Sequence, residues 1–376
     1  MKGDWEKFYK MVEAMQEELS SKTTTTTKEE KEEEIDMAKK IDWNEKARAE
    51  MLNTAHRMSE NCPTLKANGR NLTEMYLSGK LDHCYHRNEI ITAMQKILLR
   101  KSKANVLLTG PAGCGKTAIA EGLTAILAER DIPRQAEILR LKAEYDTAYR
   151  KWNKAKRQAE DDCEWFDKPA PVEPTYPAET LLSNTIIFEL SLTAMTAGTR
   201  YRGDFEEKIQ QVIEECRRYP NVILFIDEIH QIVSAGSSDN SDNCAQMLKP
   251  ALARREIRCI GATTTEEASY IWKDKALARR FNEVKVSPLH DEAAIETAEH
   301  IFEDYAQYHG VKVDETATAT DLLEKLSFFM PQTIFPDNFI NLIDETLAGA
   351  RFDGLAEIGM THFNATLSRM AGVVIV

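Results

Sequence analysis

No stretch of these 376 residues is apolar for long enough to cross a bilayer or act as a secretory signal, so a soluble, cytoplasmic chain with no membrane partner is expected. An excess of basic residues is also missing. The 61 acidic residues against 48 Lys and Arg leave a formal charge of −13, which disfavours nucleic acid as a ligand, because a backbone-binding surface needs a basic face. Cysteine is sparse: the seven present include no Cys-x-x-Cys pair, which points to reduced thiols and away from a zinc site. The eight histidines are scattered without metal-ligand spacing.

Against these absences stands residues 110–117, GPAGCGKT, directly after the apolar run Asn105–Thr109. A strand, a glycine-rich loop and a helix start in this order fold around a nucleotide triphosphate. Gly110, Gly113 and Gly115 let successive backbone N–H groups turn towards phosphates, and the helix aims its positive dipole end at them. Lys116 would reach the β- and γ-phosphates and Thr117 would ligate Mg²⁺, so the nucleotide-binding stretch is Gly110, Pro111, Ala112, Gly113, Cys114, Gly115, Lys116, Thr117 and Ala118. Cys114 lies inside the loop, so thiol reagents are expected to inhibit. The second half of the site is at 222–228, where the buried-type strand VILFI ends in Asp227 and Glu228. A carboxylate at the carboxyl end of a parallel strand faces the phosphate crevice. Asp227 can hold Mg²⁺ through water, and Glu228 is placed to polarise the attacking water; the alternative is an acidic helix cap after a buried strand.

Further segments carry a resemblance. YRGDFEEKIQQVI (201–213), ILFIDEIH (223–230), MLKPALARREIRCIGATT (247–264) and ALARRF (276–281) occur in the order found in the Clp family. The chain resembles the first AAA+ module of the Clp-type unfoldases and disaggregases, ClpA and ClpB, over about four fifths of its length, from RNLTEMYLSGKLD (70–82) to SRMAGVVIV (368–376). The resemblance implies an α/β fold: a P-loop AAA+ domain with a parallel central sheet, over 70–288, then a small all-helical lid and linker over 289–376. It further implies ATP and Mg²⁺ as cofactors, a homohexamer, and an unfolded or extended polypeptide as substrate. Thr264 falls at the family's first sensor position, and Arg279 and Arg280 at its paired arginine fingers, which reach into a neighbour's nucleotide. A solvated helix end is the alternative for the two arginines. Tyr201, flanked by Arg200 and Arg202, matches the aromatic pore loop that grips polypeptide, and 234–243 fits either a second pore loop or any surface loop.

Departures from that pattern set further expectations. The helix at 335–345 has Asn338 and no basic residue at its start, which puts the second sensor in doubt; Arg351 reads as a coincidence at the helix end. In the stretch 82–90, Tyr85 and His86 could stack on and donate to a purine, or belong to a rearranged loop with no base contact. Residues 134–180 insert a helix with an apolar stripe and a return rich in proline, an edge element that packs on its own body or on a partner. Residues 1–69 form a helical, low-complexity extension in which 5–19 is amphipathic, a docking helix for an adaptor or partner ATPase or a tail resting on its own domain, and 20–34 is a solvated linker. The sequence ends after the linker, consistent with a single-ring motor, a product completed by another polypeptide, or a truncated chain. The rival to a threading motor is a nucleotide-switched scaffold that joins a partner ring without translocating substrate.

Overall fold

The computed structural model describes residues 41–375 apart from 198–201, 235–247, 249, 253 and 255. Its centre is a six-stranded sheet of β1 (Gly69–Asn71), β2 (Asn105–Thr109), β3 (Ile186–Leu190), β4 (Val222–Ile226), β5 (Arg258–Thr263) and β6 (Phe281–Lys285), in the order β1-β3-β4-β5-β2-β6. Only the edge pair β1 with β3 is antiparallel; every other pairing is parallel. β2 and β4 are buried at every residue, as expected for parallel strands covered on both faces. Their side chains alternate between two cores. Leu107, Val222, Leu224 and Ile226 enter one, while Val106, Leu108, Ile223 and Phe225 enter the other.

Helices cover both faces. α1 (Trp43–Asn61) and α2 (Pro63–Asn68) precede β1, and Cys62 and Leu65 of this region are fully buried against the sheet. α3 (Leu72–Leu77) and α4 (Asn88–Leu98) lead into β2, and α5 (Lys116–Asp161) leaves the phosphate loop as a helix of 46 residues. Pro133 lies inside α5 and removes one rung of its hydrogen-bond ladder. There α1 splints it, because Ala47 packs on Ile132 and Ala136. Residues 162–185 then return along α5: the Trp152 indole donates to the Lys168 carbonyl at 2.8 Å and its ring meets Phe166 edge-on. The return is tied down at the base, where the backbone N–H of Asn184 donates to Asp131 Oδ2 at 2.6 Å. The inserted segment is therefore an arm with its own small aromatic core.

After α6 (Leu192–Thr196), α7 (Arg202–Arg218), α8 (Gln231–Ser234), α9 (Ala268–Lys273) and α10 (Lys275–Ala278), the chain leaves β6 for a helical lid. The lid comprises α11 (Asp291–His309), α12 (Ala319–Phe329), α13 (Asp337–Phe352) and α14 (Met360–Ala371), with the short parallel pair β7 (Lys312–Val313) and β8 (Glu357–Ile358). A separate core holds it together around the fully buried Phe339, Leu342, Ile343, Leu347 and Phe363. Among the described residues no helix is long and apolar enough to cross a membrane.

Candidate nucleotide site

The loop after β2 has the backbone its glycines allow. Gly113 and Gly115 adopt φ of +77° and +86°, a region that costs side-chain-bearing residues about 1 kcal/mol or more. Gly113 also has no room for a side chain, since a Cβ there would stand 2.8 Å from the Cβ of Asp337 at the start of α13. The lid therefore rests directly on the phosphate loop. Lys116 Nζ donates to the loop carbonyls of Gly110 and Pro111 at 3.1 and 2.8 Å, and Thr117 Oγ1 donates to Asp227 Oδ2 at 2.7 Å. Thus the two halves of the site, 110 residues apart, are brought into contact through the Mg²⁺-type ligand pair. A hydroxyl and a carboxylate as oxygen donors beside a cradle of backbone N–H groups fit Mg²⁺ and a triphosphate.

Glu228 is exposed and has φ of +48°, an unusual backbone for a non-glycine residue. Its N–H donates to Asp227 Oδ1 at 2.8 Å, and Gln231 Nε2 donates to its carboxylate. The strand end is fixed from behind by the N–H of Ile229, which donates to the Ala262 carbonyl at 3.0 Å. On β5, the buried Thr263 hydroxyl bonds His230 Nδ1 at 2.9 Å, while Thr264 Oγ1 donates to Glu267 Oε2 at 2.6 Å. His230 Nε2 lies 3.3 Å from Glu267 Oε1, so His230 and Glu267 link the end of β5 to the segment carrying Asp227 and Glu228.

Three side chains near the loop have settings that the sequence alone does not show. Cys114 is fully buried, and loss of solvent pushes its thiol pKa up, so it is shielded from thiol reagents despite its place in the loop. Tyr85 stacks on His300 of α11 with centroids 4.5 Å apart, and His86 Nε2 lies 2.8 Å from Glu296 Oε2. Glu296, His300 and Asp304 repeat every four residues on one face of α11, and the Tyr85 hydroxyl reaches Asp304 at 3.4 Å. In this conformation the pair bridges the body and the lid.

Sequence reading missed Arg87. Arg87 is 7% exposed, and its guanidinium donates to the Ser287 carbonyl at 2.8 Å and the Cys114 carbonyl at 2.9 Å, tying the loop to the entrance of the lid. Burial depresses its pKa. A lone arginine at the start of an amphipathic helix gives no sequence signal for that role. Asn338 is buried, with Nδ2 donating to Thr333 Oγ1 at 3.0 Å, and Arg351 is exposed in the last turn of α13.

Arg279 and Arg280 precede Phe281, which pairs with Asn105 at the beginning of β2, whereas the loop follows Thr109 at its end. The arginines are thus on the order of 13 Å from their own loop along the strand direction. They line an open cleft of about 920 Å³ together with Arg100, Lys103 and Arg258. Tyr201 and Arg200 lie outside the described residues, as does most of 234–243, and Arg202 opens α7.

The sequence matches the family profile "ATPase family associated with various cellular activities (AAA)" over residues 106–289. This chain carries a Clp-type AAA+ module. It is 36% identical over 302 residues to the chaperone protein ClpB of Staphylococcus epidermidis, covering 79% of this chain and 29% of that protein. To an ATP-dependent Clp protease ATP-binding subunit ClpA homolog of Pyropia yezoensis it is 34% identical, covering 82% of this chain and 32% of that protein. The chain thus spans about a third or less of these relatives. Among solved structures, the S. cerevisiae Hsp104-ADP complex superposes with a TM-score of 0.62 at 30% identity, covering 82% of this chain and 46% of that one.

Proposed function

We propose that the AAA+ module binds ATP with Mg²⁺, hydrolyses it, and drives the remodelling of polypeptides as one subunit of a homohexameric ring. The contact of Thr117 with Asp227, with Glu228 one residue further, carries this reading, because it joins a phosphate cradle, a metal-ligand pair and a candidate base. When bound, Mg²⁺ would neutralise charge developing on the transferred phosphoryl group. Lys116 would bind the terminal phosphates, Glu228 would take a proton from the attacking water, and Thr264 would report the state of the γ-phosphate. Arg279 and Arg280 would stabilise a neighbouring subunit's phosphates, a role in trans that their distance from their own loop favours. Tyr201, flanked by Arg200 and Arg202, would grip an extended chain in the pore, and the lid over 289–376 would move against the body at 70–288.

A nucleotide-switched scaffold is the second reading, favoured by Asp337 standing at Gly113 where a basic sensor residue would aid hydrolysis. ATP turnover measured across protein concentration, beside sedimentation with and without ATP, separates the two. A motor gives turnover that rises steeply with concentration and an ATP-stabilised ring, and Arg279→Ala loses the turnover; a scaffold gives nucleotide binding without turnover. Tyr201→Ala then abolishes unfolding of a model substrate while ATPase persists.

A further inference from the structure

Asparagine is a poor strand former, yet Asn105 opens β2, the strand that leads to the phosphate loop, and is only 3% exposed. A carboxamide buried there needs partners. It finds them on the two strands that flank β2: Oδ1 accepts the N–H of Cys259 on β5 at 2.9 Å, and Nδ2 donates to the carbonyl of Arg280, just before β6, at 3.2 Å. Because one partner gives a proton and the other takes one, the amide has a single orientation, and neither an aspartate nor a leucine of similar size satisfies both. Asn282 ties the same corner from β6, with Nδ2 donating to the carbonyls of Lys103 and, at 3.4 Å, Asn105.

Arg279 and Arg280 occupy a turn between two anchors in the core, Leu277 and Phe281. Asp274 caps the preceding α10 through the N–H groups of Ala276 and Leu277, and the turn closes with the Arg280 N–H on the Leu277 carbonyl at 2.7 Å. Both polar groups of the Arg280 backbone are thus fixed, the N–H by its own turn and the carbonyl by Asn105. The side chains are left for an outside partner. Arg279 is exposed, Arg280 is half-buried at the cleft, and among the described residues no carboxylate pairs with either guanidinium.

We propose that Asn105 is a positioning residue for the arginine pair, so that it serves the neighbouring subunit's nucleotide although it stands on the strand that leads to its own. This rests on the role in trans proposed for Arg279 and Arg280. Four residues of extended chain, about 13 Å, separate Asn105 from Thr109, so its carboxamide does not reach its own phosphates. Without the Nδ2 donor the Arg280 carbonyl is released and the turn can shift. A displacement of about 1 Å at a group that must meet the reacting phosphate costs up to about a hundredfold in rate.

Turnover of mixed chains tests this, because a residue that serves the neighbour and one that supports its own loop are rescued by opposite partners. Alone, Asn105→Ala turns over about tenfold or more slowly than the unmodified chain, while its ATP affinity by calorimetry stays within about threefold. Mixed with Glu228→Gln, which supplies intact arginines, it regains turnover well above either chain alone; mixed with the double variant Arg279→Ala and Arg280→Ala, it regains none. Support of its own loop gives the reverse pattern, with weakened ATP binding. That reverse pattern, or undiminished turnover by Asn105→Ala alone, would overturn the proposal. Should the alanine chain fail to fold, Asn105→Asp enters the same mixtures, since it keeps an acceptor for the Cys259 N–H and loses the donor to Arg280. Glu228→Gln mixed with the double arginine variant is the control. No rescue there would remove the role in trans and this proposal with it, whereas rescue there without rescue of the Asn105 variant would overturn the positioning role alone.

Discussion

Glu228 is held by its neighbours in a backbone conformation that few glutamates adopt, with its carboxylate still exposed to the crevice. Glu228→Gln keeps the size of the side chain and removes the proposed base. Turnover should fall by roughly a hundredfold or more while ATP affinity stays within a fewfold, as read by a coupled assay and calorimetry. Arg87 gives a prediction of another kind, since it binds carbonyls and no phosphate contact is assigned to it. Arg87→Met leaves the Ser287 and Cys114 carbonyls without their donor, which costs about 1–3 kcal/mol, seen as a lower denaturation midpoint in the absence of nucleotide. The cysteines divide by burial. Cys163 is exposed, Cys84 is pushed up to about 11 and Cys62 to about 12, and Cys114 is fully buried. Brief alkylation of the native chain at pH 8 should label Cys163 well ahead of Cys114, located by peptide mapping. Inhibition that tracks Cys114 labelling in the folded state would refute this shielding.

At the scale of elements, the central strands β2 and β4 are buried at every residue. Phe225 in β4 is fully buried beneath the helices, and Phe225→Ala should destabilise the chain by about 3–5 kcal/mol in denaturant titration. The arm behaves oppositely. Trp152→Ala should open the strap to limited proteolysis between residues 162 and 185 while the unfolding free energy of the body changes by less than about 0.5 kcal/mol. The elements were also unequally legible in the sequence. VILFI and NVLLT announce themselves because strands covered on both faces must be apolar throughout, and the lid helices show their stripe at 3.6-residue spacing. Glycine spacing likewise gave away the phosphate loop. The partners of Tyr85 and His86 were hidden, because His300 and Glu296 are more than 200 residues away and no local pattern records that meeting. The burial of Cys114 and the role of Arg87 were hidden for the same reason. Residues 43–68, read as part of an extension, pack on the sheet through Cys62 and Leu65, a contact visible only once β1 pairs with β3.

For the whole molecule, Arg279 and Arg280 stand just before β6, at the end of the sheet away from the phosphate loop, and their proposed role in trans makes a complete site depend on two copies. A chain with Arg279→Ala and Arg280→Ala retains Glu228, and a chain with Glu228→Gln retains both arginines. Each should be nearly inactive alone. Mixing them should restore a measurable fraction of turnover, because some interfaces then combine an intact base with intact arginines. A mixture as inactive as its components would mean that the arginines do not act across an interface.

The long helix that begins at the phosphate loop has a mechanical consequence. Its first residue, Lys116, closes the glycine-rich loop and is the proposed phosphate ligand, and its last is Asp161. At 1.5 Å per residue its 46 residues span about 69 Å, so a 5° swing at the loop displaces the far end by about 6 Å. Under the proposed nucleotide binding the arm is a pointer that would magnify angular changes at the loop, and exposed Cys163 offers a place near its tip for a fluorophore to read them.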